Sequence, residues 1–252
     1  PTFWNFLAQV LCPAQPCRET VRQIQAARHC RHKAPISAGT SGYCQARARL
    51  PAALLQEIWQ AIASQLTRAA TGAMRWRGLR VAIVDGTTLR MPDTPANQAV
   101  WPQPSSQQPG CGFPLLKLVG LFALSTGAIC AVAHGTLHNA EQGLFLQLWR
   151  ALTGNFDLLL GDRHFGSYAT FGALRLSGLH GVFRLHQGRK VDWRTGQRLG
   201  KYDRLLTWNR PAKLAWWLPL PIPESITVRV LRVCVAVPGF RTHVIFVSTT
   251  LL

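Results

Sequence analysis

A mixed α/β sheet with flanking helices, a helical region in front of it and a β-rich insertion late in it, is the fold class that the order of apolar segments predicts for this 252-residue chain. Three observations carry that expectation. Three apolar runs of strand length follow one another from Leu79: LRVAIVD, LLKLVGLFAL and ICAVAHGTL. Helical and strand patterns alternate behind them. After Gln187 helical periodicity disappears and β-branched runs take over.

Residues 3–11 and 17–28 read as short helices, and a Gly/Ser/Pro-containing link from Pro35 to Gly42 leads towards a longer helix from about Pro51 to Ala70. There Leu54, Leu55, Ile58, Trp59, Ile62 and Leu66 recur at helical spacing and make one apolar face. Residues 1–75 therefore form a helical N-terminal region. In its first fifty residues Arg18, Arg22, Arg28, Arg31, Lys33, Arg47 and Arg49 stand against one acid, Glu19, which suits DNA contact or a solvated face.

The three apolar runs suggest a meander, with its second turn at Ser125-Thr126-Gly127. From Ala140 to Thr153 a helix is expected, with Phe145, Leu148, Trp149 and Leu152 on one face and a stop at Gly154. DLLLGD then reads as a short buried strand, Phe165 to Ser177 as a helix and His180 to His186 as a strand. Three strands, helix, strand, helix, strand over residues 76–186 is the order of an RNase H-like fold. Residues 187–240 read as the β-rich insertion, containing GRKVDWRTGQRLGKYDR, a Trp/Pro segment and ITVRVLRVCVAV. Residues 241–252 return to the core sheet.

Lys and Arg number 28 against 10 Asp and Glu, a formal charge of +18. Such a chain repels itself unless a polyanion is the usual partner, so nucleic acid leads, with an Arg-rich, high-GC composition as the bland alternative. The seven cysteines are odd in number and lack a repeated short spacing, which fits a reducing cytoplasm. Cys12 and Cys17, with His29, Cys30 and His32 behind them, have the look of a zinc set, but only Arg31 separates Cys30 from His32. Small thiols beside solvated histidines are the simpler reading. The apolar stretch from Leu115 to Ala133 approaches membrane-span length, yet Lys117, Ser125, Thr126 and two glycines make a hairpin the better expectation. The chain opens at Pro1 without the basic start or cleavage site of a signal peptide, and reads as part of a longer protein.

Asp85 in VAIVDGTT and Asp162 in LLLGDRHF each follow an apolar strand and precede an expected turn. A carboxylate there emerges at the sheet's carboxyl edge, where two strands can present two acids to a shared Mg²⁺; capping a turn is the competing role. Arg163 could neutralise a phosphate or lie exposed, and His164 could be a site residue or a turn residue.

The blocks VDGTTLRMPD, LLKLVGLF, HNAEQ, GDRHFGSY and VSTTLL, spread over nearly the whole chain, resemble those of the insertion-sequence-four family of DDE transposases. The resemblance implies DNA-mediated transposition: metal-dependent cleavage and strand transfer at terminal inverted repeats and into target DNA, by a homodimer with two Mg²⁺ or Mn²⁺ ions, at the bacterial nucleoid. It makes Asp85 and Asp162 the first two catalytic, metal-holding acids. The family's third acid, a Glu with Tyr, Arg and Lys companions, lies in a helix after the strand ending in TTL, and the sequence stops before it. Glu224, among prolines in PIPESI, is no substitute. The alternative is a catalytically incomplete remnant that only binds DNA.

Between His180 and Lys213 nine basic residues meet two acids, with Trp193, Tyr202 and Trp208 interleaved. Arg189, Lys190, Arg194, Arg198, Lys201 and Arg204 form the centre of this run. Such a surface holds phosphates and stacks on an unpaired base, as the family's β-rich insertion does; a basic hairpin with core-packed aromatics is the competing arrangement.

Overall fold

The computed structural model describes residues 2–12, 15–212, 221–236, 238–239 and 243–252. The chain divides into two compact units, Pro1–Ile62 and Ala63–Leu252. In the first, helices α1 (Thr2–Leu11), α2 (Cys17–Cys30) and α3 (Ser41–Ala48) pack on one another, and α4 (Ala52–Ala69) begins there and runs across the boundary. α3 was not expected; part of it lies in the stretch read as a link. α4 was, but its face is shifted. Leu54, Ile62 and Leu66 are exposed, and Ala63 is buried.

The second unit is built on one nine-stranded mixed sheet. Its strands are β1 (Val81–Arg90), β2 (Leu115–Ala123), β3 (Ile129–Gly135), β4 (Leu158–Gly161), β5 (His180–Arg184), β6 (Gln197–Gly200), β7 (Asp203–Asn209), β8 (Ser225–Val235) and β9 (His243–Thr249). Across the sheet they run β3-β2-β1-β4-β5-β9-β8-β7-β6. The meander β1-β2-β3 is antiparallel, β4 joins β1 and β5 in parallel, and β9 closes antiparallel on β5. Strands β6 to β8 therefore extend the same sheet. The Leu115–Ala133 stretch is a hairpin, and no helix of the described residues is long and apolar enough to cross a membrane.

Helices α5 (Pro95–Val100), α6 (Glu141–Gln147), α7 (Trp149–Asn155) and α8 (Tyr168–Leu176) complete the unit. α5 starts where Thr94 accepts from the Asn97 N–H, with Pro95 in the first turn, where a missing N–H costs nothing. The single helix expected from Ala140 breaks at Leu148 into α6 and α7. α8 begins later than expected, because the Ser167 hydroxyl caps the Thr170 N–H. Its buried face sets Phe171 edge-on to Phe183 of β5, and Phe145 of α6 meets Phe165 edge-on. One sheet face is thus covered by the core of Ala82, Val84, Leu159 and Phe183 under these rings. On the other face Val81, Leu158, Leu160, Val182, Leu231 and Val247 line an open apolar groove.

Candidate active site

Register, not spacing, brings two acids together. β1 and β4 pair in parallel with Val84 opposite Gly161, so the next residue on each chain is an aspartate, Asp85 and Asp162. Neighbouring strands lie about 4.8 Å apart, which sets both carboxylates at one level of the sheet. Asp162 follows the end of β4, as expected. Asp85 does not end its strand: β1 continues to Arg90, held to β2 as far as Arg90 opposite Leu115. The polar GTTLR half finds a ladder partner in LLKLV, and one partner is enough to keep it extended. Asp85 is therefore the point at which β1 loses β4 and keeps β2.

Both carboxylates are exposed. One oxygen of each accepts a local backbone donor, Gly86 N–H to Asp85 Oδ1 at 2.9 Å and His164 N–H to Asp162 Oδ1 at 2.8 Å. Among the described residues no cation forms an ion pair with either. Gly161 makes their approach possible, because a Cβ there would stand 3.0 Å from Val84 and 3.1 Å from Phe183. Strand alternation puts Asp85 on the face of Val81 and Ile83, the face of the open groove.

Glu141, to which sequence reading gave no role, brings its carboxyl carbon to 3.2 Å from where a Cβ on Gly86 would stand. It arrives from the opposite, helix-covered face, since Gly86 and Asp85 point to opposite sides of the strand. It does not join the pair. Among the described residues no group of three His, Cys, Asp or Glu side chains is placed to hold a metal ion. Glu224 is exposed in the bend just before β8.

The turn after Asp162 is tied on two sides. Gln142 Nε2 of α6 donates to the His164 carbonyl at 3.0 Å, and Arg163 Nη1 donates to Gln187 Oε1 at 2.8 Å. From Gln187 a groove continues past His186, Arg189, Lys190, Val191, Trp193 and Phe246. Lys190, Arg194, Arg198 and Lys201 are exposed. The Arg189 guanidinium lies 3.8 Å over the Trp208 ring, and although the residue is exposed, partial desolvation pushes its pKa below the usual arginine value. Trp208 itself is only 7% exposed and meets Phe171 edge-on, so it is a core ring. Trp193 is different: it contacts Tyr202 and Phe246 beside the groove.

Arg198 of β6 stands directly opposite Arg204 of β7, and Arg204 Nε is buried with no hydrogen-bond partner among the described residues. Like charges facing across a ladder cost stability. Arg232, passed over in the sequence, stacks 4.7 Å from the Tyr202 ring. Its signal was legible: alternation in ITVRVLRV opposes it to Arg229, which is consumed by Asp203 at 2.6 Å. Lys213, counted in the basic run, lies outside the described residues.

Known proteins resemble the chain along most of this scaffold. The family model described as a transposase DDE domain matches residues 76–250. The transposase InsG for insertion sequence element IS4 of Escherichia coli strain K12 is 30% identical over 195 residues, which is 77% of this chain. The chain spans 43% of the length of that relative.

Proposed function

The chain belongs to the DDE transposases of the insertion-sequence-four family, and on that premise we propose that it serves the cutting and rejoining of DNA at the ends of a mobile element, with Asp85 and Asp162 as catalytic, metal-holding acids. The observation that carries the reading is the register of Val84 with Gly161, which makes neighbours of two acids far apart in sequence on an exposed sheet edge. The order β3-β2-β1-β4-β5 at one side of the sheet supports an RNase H-like core over residues 76–186. The N-terminal 1–75 region and the 187–240 insertion are its attachments, and 241–252 is the strand that returns to the core.

The donor chemistry fits a divalent cation. Each aspartate keeps one oxygen clear of the backbone bonds above, and hard carboxylate oxygens suit Mg²⁺ or Mn²⁺. Two such ions, when bound, supply activation of the attacking oxygen and stabilisation of the leaving oxygen. The protein's own residues do the rest. Arg163, next to Asp162 in sequence and steadied by Gln187, offers a guanidinium to neutralise a phosphate. Arg189, Lys190, Arg194, Arg198, Lys201 and Arg204 track the DNA backbone, whose charge offsets the Arg198/Arg204 repulsion. Trp193 and Phe246 offer ring surface to an unpaired base. The substrates are terminal inverted repeats and target DNA at the bacterial nucleoid, and the working assembly is a homodimer.

By the family's pattern a third acid would come from a helix following TTL. The apolar groove on the Asp85 face is the surface such a helix needs. A second reading, a chain that holds DNA without cutting it, is favoured by the lack of a third acid beside the pair among the described residues. The deciding experiment is Mg²⁺-dependent cleavage of DNA carrying the element's terminal repeats, by this chain and by one continued through the next helix. Cleavage by the longer chain only, lost with Asp85→Ala and with Asp162→Ala, is the expected result. Cleavage that survives either substitution refutes the assignment.

A further inference from the structure

The ladder between β1 and β4 ends at Val84 and Gly161, one residue before the two acids. Beyond that point the sheet no longer fixes Asp162 against Asp85, and two carboxylates at one level repel each other. What reaches both is the start of α6. Each aspartate's Oδ1 accepts one backbone donor, the Gly86 N–H for Asp85 and the His164 N–H for Asp162. Consecutive residues of α6 meet those two donor residues. Glu141 lays its carboxyl group over Gly86, 3.2 Å from where a Cβ would stand, and Gln142 Nε2 donates to the His164 carbonyl at 3.0 Å. Glu141 acts there by filling space and Gln142 by a directed hydrogen bond.

The turn that leads into α6 is itself fixed to the sheet. Lys117 of β2 lies opposite Thr88 of β1, two residues from Val119, which lies opposite Gly86. Alternation therefore puts Lys117, Val119 and Gly86 on one face, and Val119 belongs to the core beneath the helices. From that face the Lys117 ammonium donates to the Leu137 carbonyl at 3.1 Å and to the Asn139 carbonyl at 2.8 Å, charge-assisted bonds stronger than neutral ones. Asn139 Oδ1 accepts from the Thr136 N–H at 2.7 Å and closes the turn. The HNAEQ segment, His138 to Gln142, is thus tied to β2 at one end and to both aspartate turns at the other.

From this arrangement we propose that the start of α6, anchored by Lys117, is a brace that sets the separation and aim of the Asp85 and Asp162 carboxylates. Lys117 and Gln142 are its positioning residues; both act through backbone, and neither is a ligand. The proposal rests on the roles proposed above for Asp85 and Asp162. Groups that orient metal ligands from behind carry about 10-fold or more of the affinity for the ion. A purely structural role would instead lower the melting temperature and leave metal affinity of the folded chain unchanged.

The test is Mn²⁺ titration of this chain, followed by the electron paramagnetic resonance of free Mn²⁺, with melting recorded by circular dichroism. Gln142→Met and Lys117→Met, close in length but unable to donate, should each weaken Mn²⁺ binding about 10-fold, and Lys117→Arg, which keeps its donors, should stay within about twofold of the unsubstituted chain. The double variant Gln142→Met, Lys117→Met should lose no more than about threefold beyond the weaker single one, because both act through one brace; losses that multiply would show two independent contacts and overturn it. Binding by Gln142→Met equal to that of the unsubstituted chain, while Asp85→Asn and Asp162→Asn bind poorly, overturns the brace and leaves the acids in their roles. If neither Asp85→Asn nor Asp162→Asn weakens binding, the fault lies with the acids, and the brace falls with them. Should Lys117→Met fail to fold, Gln142→Met decides the matter alone, since its hydrogen bond lies at the surface.

Discussion

β4 carries an acid just before its first residue and another just after its last, and the fold treats them in opposite ways. At the start, Asp157 accepts from the Arg80 backbone N–H at 2.8 Å, from Arg80 Nε at 3.0 Å and from Nη2 at 2.7 Å. This bidentate pairing holds the Asp157 carboxyl below the usual carboxylate range and raises Arg80. At the far end Asp162 and its neighbour Asp85 have one local backbone donor each and no ion-pair partner among the described residues. One end spends its acid on tying the chain together. The other keeps two acids at one level of the sheet without a countercharge, an arrangement that favours a cation from outside.

The largest effect that would break this contrast is on chemistry. In the longer chain, Asp85→Asn or Asp162→Asn should cut DNA cleavage by about 10³-fold or more, the loss of several kcal/mol of charge stabilisation. Calorimetry should show weakened Mn²⁺ binding in the same variants, and their Tm should stay level or rise as like charge is removed. A fall in Tm with cleavage intact would reverse the roles of the two ends.

Next in size is Gly161→Ala. The added methyl meets Val84 and Phe183 at 3.0–3.1 Å in a packed interior, so about 1–3 kcal/mol of stability should go, read by urea denaturation. Metal affinity should fall with it, because β4 shifts directly before Asp162. Unaltered affinity would show that the register tolerates movement.

Asp157→Ala should cost about 1–2 kcal/mol and lower Tm by about 2–6 °C, with cleavage per folded molecule unchanged. The cost is modest because Asp157 and Arg80 are 34% and 41% exposed and solvent screens the pair. The pH dependence has a definite sign. A carboxylate with a depressed folded pKa contributes stability above its unfolded value, about 3.9, and that contribution is lost as pH falls through the folded value. Acid melts should therefore show wild type and Asp157→Ala converging below about pH 4. The smallest effect belongs to Glu141→Gln, which should leave Mn²⁺ affinity within about twofold, since Glu141 approaches from the far face. A larger loss would place Glu141 in the site.

Much of the core fold was legible because its signals are local. Apolar runs bounded by turn residues gave β1 to β5 and β9, and periodicity gave the helices between them. The break at Leu148 and the extension of β1 to Arg90 were missed, since a helix interruption and a one-sided ladder depend on what packs alongside. In the candidate site the two acids could be picked out by their place after buried runs. Asp157, in the same DLLLGD segment, looks no different from Asp162 in sequence. Among the aromatics, Trp208 and Trp193 are likewise interchangeable until one is buried against Phe171 and the other is left beside a groove.

By itself the sequence determined the charge of +18, the order of strands and helices, and the residue types available at strand ends. Each is a property of composition or of a few neighbouring residues. Only the tertiary structure decided that Val84 lies opposite Gly161, that Asp157 is consumed by Arg80 while Asp85 and Asp162 are not, and that Asp203 takes Arg229. Those pairings join residues distant along the chain, where the cost of closing the loop is recovered only from packing and hydrogen bonds of the completed fold, and no local spacing encodes them.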